Sequence, residues 1–243
     1  MVTALRAARL RGAPLILIAY LSAFPGCAEK ERPPAPVMSP PRVFVVAPVL
    51  NLSGSQDFDA LKVTDLVASE FLEFPNVTVV PVNLTLAELA RRGKQAVETP
   101  ADAVELARVL GADATIVTAV TEYSPYAPPV IGLIMQWYAS SPAAIGATGE
   151  PAVSEAATVL SDETRLAPRW QVQRVYNAAD EQVLEQIRSF ADAREGHESP
   201  YGWRRYVRSQ ELYVRYATWA MIRTMLKLDK NEDTAHEPSE TKS

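Results

Sequence analysis

The sequence predicts an α/β fold in three layers: a mixed sheet with its first three strands parallel and later strands antiparallel, and helices on both faces. Three observations carry this. Apolar runs at 42–50, 77–80 and 114–121 alternate with helix-periodic segments, and strands joined through helices become parallel by right-handed crossovers. The run 114–121 is β-branched and uncharged, as a strand buried on both faces requires. Only a proline turn, 123–129, separates it from the apolar run 130–138, which makes that next strand antiparallel.

In chain order, residues 1–27 carry Arg6, Arg9 and Arg11 before an apolar run at 13–23 that is short for a bilayer span. This reads as an export signal. Cys27, the only cysteine, closes it behind Gly26. Two readings stay open: lipidation at Cys27, or cleavage after Ala28 with Gly26 and Ala28 as the small pair. Residues 28–41 are rich in proline and read as an extended tether. From Cys27 to Arg42 it would reach up to about 45 Å at roughly 3.1 Å per residue.

The expected domain runs from 42 to 228. Residues 42–50 form the first strand and 51–55 the turn after it. A helix from about Phe58 places Leu61, Val63, Leu66, Val67, Phe71 and Leu72 on its packed face, with Asp65, Glu70 and Glu73 toward water. The second strand is 77–80. Thr85 and Glu88 have capping-box spacing and open a short helix to Gly93. Thr99 and Pro100 start the next helix, which Gly111 ends in the left-handed conformation. The core strand 114–121 and the antiparallel strand 130–138 follow. Residues 139–165 are rich in Ala, Ser, Gly and Pro and read as a surface loop, 170–176 as the last strand. A helix over 179–194 carries Val183, Ile187, Phe190 and Ala191 on one face, and a final helix covers 202–228. Residues 229–243 are polar and aperiodic, the composition of a disordered tail.

Charge and composition exclude some functions. The formal net charge is −5. Removing the three leader arginines from 24 basic residues leaves 21 against 29 acidic ones, or −8, which argues against a nucleic-acid surface. One cysteine allows no internal disulfide and no cysteine metal cluster. The two histidines, His197 and His236, fall in a loop and in the tail, poor places for a metal site or a His-based triad. The turn from Asn51 to Ser55 lies between strand and helix, where an anion can bind. It has one glycine and neither a dinucleotide nor a P-loop fingerprint, so a plain turn is favoured. Asp113 reads as a carboxylate that orders its turn.

The segments 43–48, 51–54, 106–113 and 117–123 together resemble a bacterial envelope lipoprotein superfamily. It includes the curli secretion lipoprotein, the lipoprotein activators of penicillin-binding proteins and the TolB amino-terminal-like domains. Over about residues 42–138 the resemblance implies a three-layer α/β domain facing the periplasm from the outer membrane. It implies no cofactor and work through protein contacts rather than catalysis, and it allows a homo-oligomer. Pore-forming curli-type members carry long alternating hairpins, and residues 140–160 lack that alternation.

Partner contacts are expected at two places. Tyr123 and Tyr126 flank the proline turn, which presents them at the sheet's end. On the last helix Tyr206, Tyr213, Ala217, Ala220 and Met221 face the sheet. Leu212, Trp219, Ile222 and Leu226 form a second stripe flanked by Arg204, Arg208, Arg215 and Arg223. That stripe is either covered by another element or a docking surface of Leu212, Arg215, Trp219 and Arg223. Three functions follow: a membrane-tethered adaptor whose envelope partner is not named by the sequence, a nucleotide or small-molecule binder, or a subunit of an export complex. The anchor is checked by intact mass of the membrane-extracted protein, which is expected to show a chain starting at Cys27 with added lipid. A soluble chain starting at Glu29 without lipid mass removes the anchor.

Overall fold

A computed structural model describes residues 36–140, 167–195 and 200–236, all within one unit, Pro33–Ser243. The expected leader with Cys27, most of the expected loop 139–165, and the tail from 237 lie outside the described residues. The strands are β1 (Arg42–Val46), β2 (Leu50–Asn51), β3 (Val77–Val79), β4 (Ala114–Ser124), β5 (Val130–Ala139) and β6 (Trp170–Asn177). The helices are α1 (Ala60–Phe71), α2 (Val82–Arg91), α3 (Pro100–Val109), α4 (Glu181–Glu195) and α5 (Gln210–His236), with a 3-10 turn at Gly202–Arg205.

The sheet order is β3-β1-β4-β5-β6, with β2 paired to β4. β1 lies parallel between β3 and β4, whereas β4–β5 and β5–β6 are antiparallel. Both faces are covered. On one, Phe44, Ile116, Leu133 and Trp137 pack with Val67 and Phe71 of α1, Ile187 of α4 and Met221 of α5. On the other, Val45, Ala47 and Val117 pack with Leu89 of α2 and Leu106 of α3. The three-layer α/β architecture is therefore present.

Local chemistry sets the ends of these elements. Asp59 caps α1 by accepting from the Lys62 amide at 3.0 Å. Thr99 and Asp102 close a capping box on α3. Gly111, at φ +67°, ends that helix as expected. Thr115 Oγ1 donates to the Ala103 carbonyl at 2.7 Å, binding α3 to the central strand. Asp113 accepts from the Val43 amide at 2.7 Å and orders the turn before β4.

Several boundaries differ from the sequence reading. The first strand is interrupted after Val46, because Pro48 has no donor and the Val49 amide turns to Thr64 Oγ1 at 2.9 Å. Helix α2 starts at Val82 behind Pro81, so Thr85 is a buried helix residue and no cap. Leu61 and Leu72 are exposed and Glu70 is buried, the reverse of the assignment from spacing. The tether's last residues belong to the fold: Met38 is buried, its amide donates to the Pro75 carbonyl at 3.2 Å, and Asn76 Nδ2 donates to its carbonyl at 3.0 Å.

The final helix also differs. A 3-10 turn occupies its expected start and α5 continues past Leu228 to His236. Asp229, expected in a disordered tail, is buried. It pairs with Arg169 at 2.8 Å and accepts from Trp170 Nε1 at 3.2 Å. An added Cβ at Gly111 meets nothing within 4 Å, so its substitution cost is purely backbone strain. Gly111→Val is expected to lower stability by about 1–2 kcal/mol, the cost of a left-handed residue bearing a side chain, read from thermal melts by circular dichroism.

Candidate functional site

The turn after β2 closes on itself. Asn51 Oδ1 accepts from the Ser53 amide at 3.2 Å and from Ser53 Oγ at 2.7 Å, while Asn51 Nδ2 donates to the Ser55 carbonyl at 2.9 Å. The Ser55 and Asp57 amides donate to Ser53 Oγ and Ser55 Oγ. Donors that could cradle an anion are thus directed at the turn's own oxygens, and Gly54 at φ +72° supplies the bend. Among the described residues no group of three His, Cys, Asp or Glu side chains could hold a metal.

At the proline turn the two tyrosines part company. Tyr126 is 71% exposed, and its hydroxyl donates to Asp57 Oδ2 at 3.3 Å. Tyr123, expected to be exposed beside it, is half-buried and meets Phe58 edge-on with centroids 5.2 Å apart. The register of β4 against β5 shifts between Val120 and Glu122. An extra residue reverses the alternation of faces, so Val120 and Tyr123 both lie on the face shared with Leu133 and Ile131. Gly132 stands opposite, where a Cβ would meet Thr121 Oγ1 at 2.6 Å.

The second stripe of α5 is mostly covered. Ile222 and Leu226 are core, Leu212 is half-buried against the same cluster, and Trp219 lies 4.9 Å from the Phe190 ring of α4. Arg223 covers the outer side of Trp219 at 5.1 Å. Arg215 turns inward: Nη1 donates to Glu70 Oε1 at 2.9 Å, and Nε lies 3.6 Å from Glu211. Arg194 of α4 donates to the other Glu70 oxygen at 2.6 Å. Glu70 has no exposed side-chain surface, so its charge is neutralised wholly by these two arginines. Of the two readings of this stripe, cover by another element holds for Ile222 and Leu226 and in part for Trp219. The side chains of Leu212, Trp219 and Arg223 remain partly exposed.

A further group of aromatic residues lies between α4 and α5 and beneath them. Tyr201 is exposed, and Trp203 is half-buried with the Arg188 and Arg204 guanidiniums 4.7 and 5.1 Å from its ring centroid. The Trp203-Arg204-Arg205 run was the signal available for this surface. Deeper in, Tyr176, Tyr213 and Tyr216 are buried together. Burial holds the Tyr176 hydroxyl up at about 12, and it pushes those of Tyr213 and Tyr216 up as well. They stay neutral at any physiological pH and serve packing.

No family model matches the sequence, and no curated protein matches it significantly. Among solved structures the chain is similar to lipoprotein GNA1162 from Neisseria meningitidis at 16% identity, covering 56% of this chain and 81% of that one, with TM-score 0.39. It is similar to the LpoB C-terminal domain from Salmonella enterica at 16% identity, covering 59% and 84%, with TM-score 0.40. The PelC dodecamer from Paraburkholderia phytofirmans aligns over 80% of this chain and 94% of that one, at 13% identity and TM-score 0.39. At this level of similarity none of them assigns a role to the chain.

The Glu70 arrangement generates a test. Arg215→Glu places a second carboxylate against a buried one and is expected to cost about 3–5 kcal/mol. Urea melts check it, with Arg215→Lys expected to lose less because one cation is kept.

Proposed function

We propose that this protein is a membrane-tethered periplasmic lipoprotein of the outer membrane, acting as a non-catalytic adaptor or envelope-assembly factor through protein contacts. The observation that carries the reading is where the polar chemistry goes. The donors of the turn after β2 serve that turn, and Glu70 serves three helices. Tyr126, by contrast, stands 71% exposed at the tip between β4 and β5, a rigid aromatic of the kind that anchors interfaces. Leu212, Trp219 and Arg223 add a partly exposed strip on α5. The sequence supports the tether through the leader, Cys27 and the proline stretch, and the resemblance to envelope lipoproteins points the same way.

The test has two parts. A photo-crosslinking residue at position 126 in cells is expected to yield one discrete adduct with an envelope protein, lost when Asp57→Lys alters the tip. A panel of nucleotides and small metabolites is expected to leave the melting temperature unchanged. A ligand at 100 times its dissociation constant would stabilise by about 2.7 kcal/mol, and such a shift would overturn the adaptor in favour of a small-molecule binder.

A further inference from the structure

The segment between α4 and α5 gathers cations and aromatic rings on one surface. Tyr201 is 74% exposed. Trp203 packs inward on the core cluster and is flanked by Arg188 and Arg204. Arg204 and Arg208 are exposed, and among the described residues no carboxylate is placed against either. Their neighbours differ in this respect. Arg188 meets Glu185 at 3.0 Å and Glu181 at 3.8 Å, Arg194 meets Glu70 and Glu73, and Arg215 meets Glu70 and Glu211. Two exposed cations without carboxylate partners among the described residues thus lie beside a half-buried indole.

A second observation concerns position. The chain enters the fold at Met38, which is bound to Pro75 and Asn76 just beyond the end of α1. Glu70 in the last turn of α1 and Glu73 just past its end are both gripped by Arg194 near the end of α4. One turn earlier on α4, Phe190 stacks edge-on against Tyr206 at 5.4 Å. The end of α1 is therefore bordered by the incoming tether and by the α4 end that supports residues 201–208.

We propose that residues 201–208, with Trp203 at the centre, form a membrane-facing surface that rests on anionic phospholipid headgroups. Tryptophan and tyrosine rings favour headgroup depth, where an apolar body and a polar edge are both satisfied. Guanidinium binds phosphate through paired donors. A tether entering at the end of α1, which the end of α4 also borders, would keep this surface at high local concentration over the bilayer. The approach to the membrane rests on the anchored reading above, but the affinity for lipid belongs to the surface itself.

The experiment separates the two. The full chain bearing Cys27→Ser is floated with vesicles of phosphatidylethanolamine containing a minority of phosphatidylglycerol, and with vesicles of phosphatidylcholine alone. It is expected to float with the anionic vesicles, less so as salt rises. Arg204→Ala with Arg208→Ala is expected to lower that affinity about 25-fold, at about five-fold for each arginine near an anionic surface, with the melting temperature of the parent chain. Every variant carries the same leader, so the difference between variants reads the patch alone. On anionic vesicles, brominated lipid chains are expected to quench tryptophan fluorescence, and Trp203→Phe to remove most of that quenching. If the arginine pair changes neither flotation nor quenching, the proposal is overturned, even where wild-type chain carries its lipid. If Cys27→Ser floats as expected while wild-type chain shows no lipid mass, the anchor fails and this surface stands.

Discussion

The helical layer on one face of the sheet depends on a single buried charge. Glu70 sits near the end of α1 without solvent exposure, and its two oxygens are taken by Arg194 of α4 and Arg215 of α5. A carboxylate in that position is tolerable only when both partners are in place, since an unpaired buried ion costs several kcal/mol. The three helices must therefore arrive together and in one relative rotation. That rotation brings Phe190 against Tyr206, Tyr216 and Trp219. It also sets where residues 201–208 emerge. Arginine suits both positions because its planar fork reaches two acceptors, as Arg215 does with Glu70 and Glu211.

Much of the architecture was legible because it is written in local patterns. The uncharged run of β4, the Thr99 cap, Gly111 and the proline turn each act within a few residues of themselves. What escaped the sequence acts over long separations or breaks a period. Glu70 on a helix reads as water-facing because its partners are 124 and 145 residues away. Asp229 reads as tail for the same reason, being 59 residues from Trp170. Tyr123 stands beside the proline turn in sequence, but the register shift after Val120 puts it on the face that meets Phe58. Of the candidate contact residues, Tyr126 was readable from its turn, whereas the inward set of Arg215 was not.

The two ends of the sheet contrast in what they leave to solvent. In open α/β sheets, ligand sites form beyond the carboxyl ends of parallel strands. Here that place, after β2, is filled by a turn whose serine and asparagine side chains satisfy one another. The opposite end holds the incoming chain at Met38 and the carboxylate-arginine cluster.

That incoming chain has a mechanical consequence. A pull transmitted from residue 36 meets the two hydrogen bonds and buried side chain of Met38 before it reaches β1. β1 is not an edge strand: it runs parallel to both neighbours, β3 and β4. Load directed along it strains the hydrogen bonds on both sides at once, in shear, rather than opening them one after another. Load applied through residue 36 therefore meets the Met38 bonds first and then sheet hydrogen bonds that share it in parallel.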